Sequence, residues 1–238
     1  MKIKLVALLL MAVACTKTET INPPSLATNR VLEYKVTNVS GDPIYGVIND
    51  ENKTITAYIP YYYYLTSLQA EIKVSDGASI TPGSNTLITG LDSLFFAENL
   101  QYKVTAKDGS VASYNLVVET QQPALSVNEI TEDSWMTSSV SDTYPYDRPV
   151  TYTITGKNFI VNSSLTVKPQ VIFIAADGKE YKPVGTTDFS TTNGIDGSFS
   201  VYMPYAATIP EGTYKIKVVN YSRAVLLEKT IRILYPVN

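Results

Sequence analysis

The sequence predicts an all-β protein made of two β-sandwiches in tandem. Apolar residues alternate with period two in many short windows, and turn-forming dipeptides punctuate those windows. No stretch carries the 3.6-residue period of a long amphipathic helix. A chain of 238 residues also has room for two units of roughly 100 residues, each long enough to bury its own core.

The chain starts MKIKLVALLLMAVAC: two lysines, an apolar run from Leu5 to Val13, then small residues before Cys15. The run is shorter than the roughly 20 residues a bilayer crossing needs, and charge flanks it only on the N-terminal side, so residues 1–14 read as a secretory signal. Cys15 is the only cysteine, and an exported chain that keeps a single thiol is expected to use it chemically. The stretch Ala12-Val13-Ala14-Cys15 resembles a bacterial lipobox, with Ala12 where leucine is usual. The resemblance implies cleavage before Cys15, acylation of that residue, and attachment to the membrane through lipid alone. Residues 15–28, with Pro23-Pro24 and no burying pattern, read as a tether.

Period two begins at Val31. Leu32, Tyr34 and Val36 fall on one face of a first strand, with Val31, Glu33 and Lys35 on the other. Ile55, Ala57 and Ile59 follow the polar turn NDENK as the second arm of a hairpin, and Ala70, Ile72 and Val74 repeat the scheme. Tyr102, Val104 and Ala106 lead into Asp108-Gly109, while Tyr114, Leu116 and Val118 lead out. That dipeptide tolerates the positive φ a tight hairpin demands. The polar segment ETQQP ends at Pro123 and marks an expected boundary, giving units 29–121 and 122–238. Beyond it the pattern returns in Val150, Tyr152, Ile154, then Phe199, Val201, Met203, then Tyr214, Ile216, Val218, with Asp177-Gly178 and Glu211-Gly212 expected as hairpin turns.

Both units carry family resemblances. TYTITGKNF (151–159) with PEGTYKIKVVN (210–220) resembles the IPT/TIG immunoglobulin-like domain, over most of 124–234. EYKV, TITAYIP, LTSL, KVSDGASITP and YKVTAKDGSVASYNLVV resemble the N-terminal immunoglobulin-like domain of surface lipoproteins from Bacteroidetes-type bacteria. These resemblances imply immunoglobulin-like sandwiches. The whole looks like the surface glycan-binding lipoproteins of starch-utilisation-type uptake systems, which implies an outer-membrane location facing the exterior. The implied partner is a polysaccharide, for a monomer or a member of an outer-membrane complex. The competing expectation is a spacer or adhesion lipoprotein that contacts a surface protein and carries no sugar site.

Composition narrows the chemistry. Formal charge is −3; removal of residues 1–14 takes Lys2 and Lys4 and leaves 17 basic against 22 acidic side chains, a net of −5. An acidic exported chain does not suit phosphate backbones, so nucleic acid is not an expected partner. With no histidine, triads and imidazole metal sites are impossible. Asp108, Asp177 and Glu211 fall in expected turns rather than facing pairs, and no catalytic site or cofactor is expected. Asp142 with Asp147, and Asp188 with Asp196, lack a calcium-loop motif, so no metal site is expected either.

Aromatics are in excess, with 18 tyrosines and a single tryptophan, and exposed rings can stack on sugar faces. Tyrosine is also a favoured strand residue. The connection 130–150 carries Trp135, Tyr144 and Tyr146 with Asp142, Asp147 and Arg148. It is a candidate glycan-binding loop, unless Trp135 packs back onto its own sheet. Tyr61, Tyr62, Tyr63 and Tyr64 follow Pro60, which cannot donate to a ladder and should end its strand. They form either a plug at one pole of the first sandwich or a second ligand platform.

Overall fold

The computed structural model describes residues 27–96, 100–137, 150–182, 185–190, 196–203 and 209–235. The expected signal, Cys15 and the tether up to residue 26 lie outside them. None of the helices among the described residues is long and apolar enough to cross a membrane.

The first sandwich contains β1 (Val31–Val36), β2 (Ile44–Tyr45), β3 (Val47–Asn49), β4 (Thr54–Pro60), β5 (Ser67–Val74), β6 (Ser79–Thr81), β7 (Leu87–Thr89), β8 (Leu100–Thr105) and β9 (Val111–Gln121), with a short helix α1 (Leu91–Phe96) after β7. One sheet runs β2-β1-β5-β7 and the other β3-β4-β9-β8-β6, with β4 parallel to β9. Ile55, Ala57 and Ile59 meet Tyr34, Val36, Leu68, Tyr102, Val104 and Tyr114 in one core. Alternation thus predicts the buried face of β4, β5, β8 and β9.

At β1 it holds for Tyr34 and Val36, both buried, and fails only at the start, where Val31 is buried and Leu32 is 47% exposed. The β1–β5 register skips between Val31 and Glu33, and such a bulge resets which side chains face inward.

The second sandwich contains β10 (Ser126–Val127), β11 (Ser134–Met136), β12 (Thr151–Lys157), β13 (Gln170–Ile174), β14 (Glu180–Tyr181), β15 (Gly185–Ser190), β16 (Asp196–Tyr202), β17 (Gly212–Asn220) and β18 (Arg223–Leu234). Its sheets run β10-β12-β16-β15 and β11-β18-β17-β13-β14, and β11 lies parallel to β18. The entering chain thus contributes β10 to one sheet and β11 to the other. The Tyr214 hydroxyl donates to the carbonyl of Pro210 at 2.7 Å, a tyrosine corner of the kind that marks this fold. The protein is all-β, two immunoglobulin-like sandwiches in tandem.

Both Asp-Gly hairpins form, and by the same device. Gly109 (φ 83) and Gly178 (φ 85) take the left-handed conformation, while the Asp108 and Asp177 carboxylates accept the backbone N–H of Ser110 and Lys179, each at 2.9 Å. Glu211-Gly212 forms no hairpin. It opens β17, which lies in the sheet opposite β16, so the chain crosses the sandwich there. The tight turn in this region is Tyr221-Ser222, between paired Asn220 and Arg223.

The segment expected as a polar break begins as the end of β9, and its Thr120 and Gln122 are buried while Glu119 and Gln121 stay exposed. Gln122 is 7% exposed, its amide donates to the Asn220 carbonyl at 3.0 Å, and its carbonyl accepts the Ser222 hydroxyl at 3.0 Å. The Thr120 and Ser222 hydroxyls are also in contact. A third apolar cluster joins Ile160, Val167 and Tyr221 to Tyr61, Tyr64 and Phe95 of the first sandwich. Thr120 and Gln122 therefore hydrogen-bond across a junction, and the two sandwiches meet there in both apolar and hydrogen-bonded contact.

Candidate functional site

Trp135 does not offer a ring face to solvent. It is fully buried, stacked on Tyr152 with centroids 4.6 Å apart and planes 7° apart, and edge-on to Phe173 at 6.0 Å. Its place on β11, parallel to Trp135's neighbour strand β18, aims the indole between the sheets. Of the two readings open for Trp135, packing back onto its own sheet is the one found and the exposed platform is corrected: a large apolar ring on a short inward strand position gains more from burial than from solvent. The Trp135 Nε1–H has no hydrogen-bond partner among the described residues. Asp142, Tyr144, Tyr146, Asp147 and Arg148 lie outside the described residues.

The tyrosine run forms a single 3-10 turn, Tyr61–Tyr63, after Pro60 ends β4. Tyr64 sits in the left-handed region at φ 49, and its N–H bonds the Tyr61 carbonyl. The turn scatters the rings. Tyr63 packs on the first core, Tyr61 and Tyr64 pack on the junction cluster, and Tyr62 is 60% exposed. Tyr62 meets Tyr61 at 71° and Tyr63 at 42°, so neither pair makes a flat platform.

What the structure does assemble is a cleft of about 920 Å³ between the sandwiches. Its first wall comes from Leu87 and Thr89 of β7 and from Phe95 and Phe96 of α1. Gly90, at φ 71, makes the turn from β7 into that helix. Phe95 points to the junction, edge-on to Tyr221 at 5.2 Å, and Phe96 is 45% exposed. Consecutive helical residues cannot share a face, which is why the pair divides between packing and solvent.

The second wall is the outer face of the sheet containing β13, β14 and β17. Period two puts Val171, Phe173, Ile216 and Val218 in the core, and leaves Gln170, Ile172, Lys217 and Val219 lining the cleft. Register places Gln170 opposite Val219 and Ile172 opposite Lys217. The Lys217 ammonium pairs with the Glu180 carboxylate at 2.5 Å. Lys168 and Lys182 complete the wall, and neither has an ion-pair partner among the described residues.

The arrangement offers a ring face and apolar surface opposite hydrogen-bonding groups. No group of three or more Cys, Asp or Glu among the described residues converges as a metal site. Sequence reasoning missed Phe96 and the lysines. Their signal was present: two adjacent phenylalanines after Gly90 cannot both be core, and the alternation that buries Ile216 and Val218 turns Lys217 outward.

Residues 32–118 match the family model described as SGBP, N-terminal. No curated protein matches the chain. Among solved structures, a Bacteroides thetaiotaomicron VPI-5482 protein provisionally assigned as a glycoside hydrolase is 14% identical, over 89% of this chain and 83% of its own, with a TM-score of 0.34. SGBP-B of the Bacteroides ovatus mixed-linkage glucan utilization locus, solved with a mixed-linkage heptasaccharide, is also 14% identical, over 91% of this chain and 48% of its own, with a TM-score of 0.23. A titin fragment is 11% identical, over 72% of this chain and 90% of its own, with a TM-score of 0.24. These scores are too low to carry a function from one protein to another.

Proposed function

We propose that this chain is a non-catalytic surface glycan-binding lipoprotein, anchored through acylated Cys15 in the outer membrane and holding polysaccharide for an uptake system. The observation that carries the reading is the match of residues 32–118 to the N-terminal region of surface glycan-binding proteins. The sequence supports the rest. A short apolar leader ends at a sole cysteine, and a histidine-free chain has no imidazole to act as base or metal ligand. The cleft supports it too, because sugar recognition needs a ring face and nearby polar groups rather than a reactive constellation.

A spacer or adhesion lipoprotein is the second reading, and one observation favours it. The matched region is the N-terminal one, and it is joined to the second sandwich by the buried Gln122 and Tyr221 contacts, as a stiff stalk would be. Retention on immobilised plant, host and microbial polysaccharides separates the two: a glycan-binding protein is held by at least one, and a spacer by none. The anchor is tested by labelled palmitate, which wild type incorporates and a Cys15→Ser variant does not.

A further inference from the structure

We propose that the cleft between the sandwiches is the seat of glycan binding and that its ligand is an anionic polysaccharide, one bearing carboxylate or sulfate groups. The inference rests on the glycan-binding reading above and adds a place and a ligand chemistry to it.

The charge distribution carries the choice. The chain as a whole is acidic, at −3. Yet the second wall of the cleft presents Lys168, Lys182 and Lys217 against a single acid, Glu180, which is engaged by Lys217. Asp92 on the opposite wall is the remaining acid of the lining. A concave surface with low-dielectric walls focuses the field of its charges, so a locally positive wall on an acidic protein draws and orients anions. An ammonium group can donate to the hydroxyl of a neutral sugar, but a carboxylate or sulfate adds opposite charge to the same hydrogen bond and gains more from it.

Shape agrees. At about 920 Å³ the cleft has room for several sugar units, and residues of both sandwiches line it. The half-exposed Phe96 supplies a ring for the apolar face of a sugar, with Leu87, 54% exposed, beside it in the lining. Ligand would then touch both sandwiches at once, which uses a junction whose geometry the Tyr221 and Gln122 contacts already hold.

The test is affinity electrophoresis of the full chain in gels containing polygalacturonate, a sulfated galactan, or a neutral β-glucan. Wild type should be retarded by an acidic gel, with the two acidic gels distinguishing carboxylate from sulfate, and retardation should fall as salt rises. Replacing both unpaired lysines, Lys168→Gln with Lys182→Gln, should weaken binding about tenfold or more, as expected for two charge-assisted contacts. Phe96→Ala should weaken it on its own. These side chains are exposed or half-exposed, and an unchanged melting temperature would verify that the variants fold. Retardation by the neutral gel alone overturns the anionic ligand, and acidic retardation that survives all three substitutions overturns the cleft; either leaves glycan binding intact. No retardation of wild type in any of these gels overturns the anionic ligand, and with no retention on the plant, host and microbial panel either, it overturns both.

Discussion

The Tyr221 hydroxyl donates to the backbone carbonyl of Leu65 at 2.8 Å, tying the β17–β18 turn of the second sandwich to the first sandwich across 156 positions of sequence. Tyr221 does this from a left-handed backbone conformation, φ 56, that bulky residues rarely adopt and that costs on the order of 1–3 kcal/mol. The ring is 9% exposed and packs against Phe95. Burial pushes its phenol up to about 12, so it remains a donor throughout the neutral range. Tyr221→Phe should cost about 1 kcal/mol through the lost donor, read in urea unfolding. Tyr221→Gly suits the backbone yet removes the ring, so X-ray scattering should show a larger radius of gyration; unchanged scattering would mean that the hook does not set the angle between sandwiches.

The fate of Trp135 predicts a stability effect rather than a binding effect. Trp135→Ala empties a fully buried site stacked on Tyr152 and should destabilise the second sandwich by about 3–5 kcal/mol. Thermal melting checks this. A variant that melts like wild type would show that the indole is not part of the core.

Gly156 of the TITG stretch pairs with Gly197 across β12 and β16, and the Phe159 ring lies over both. A Cβ at Gly156 would overlap the Ser126 carbonyl oxygen and come within 2.9 Å of Phe159 Cζ. Gly156→Ala should therefore destabilise by about 3 kcal/mol, because backbone and ring must both move. Denaturant unfolding of the variant measures it, and a neutral effect would contradict the close approach.

A pH effect follows from Asp50. Burial works to raise its carboxyl pKa, but the hydrogen bond from the Tyr114 hydroxyl and the Arg30 guanidinium outweigh it and hold the group below its ordinary range. A depressed carboxyl contributes stability that is present above its unfolded value of about 4 and is lost as pH falls through the folded value. The urea midpoint of wild type should thus fall between about pH 5 and pH 2 more steeply than that of Asp50→Asn. Parallel slopes would remove Asp50 from the account.

The buried faces of β4, β8, β9, β16 and β17 were legible because each is a regular strand whose period is two, and a regular strand has only two faces. Only the start of β1 was misread, because a bulge at Leu32 shifts the phase there and leaves no mark in composition. Glu211-Gly212 was misread because a turn dipeptide reports a bend and not which sheet the chain enters next. The tyrosines were legible in part: Pro60 predicted the strand end, whereas the 3-10 turn that distributes the four rings depends on the junction cluster, a contact between residues far apart in sequence. The cleft could not be read from either half alone. Its walls come from Phe96 and Leu87 on one side and Lys168 and Lys182 on the other, and only the docking of the two sandwiches brings them together.

The most direct test of glycan binding is calorimetric titration of the full chain with oligosaccharides prepared from whichever polysaccharide retains it. Saturable heat at one ligand per chain is the predicted result. The absence of heat with every such oligosaccharide, or of retention on every polysaccharide offered, would contradict it and leave a stalk.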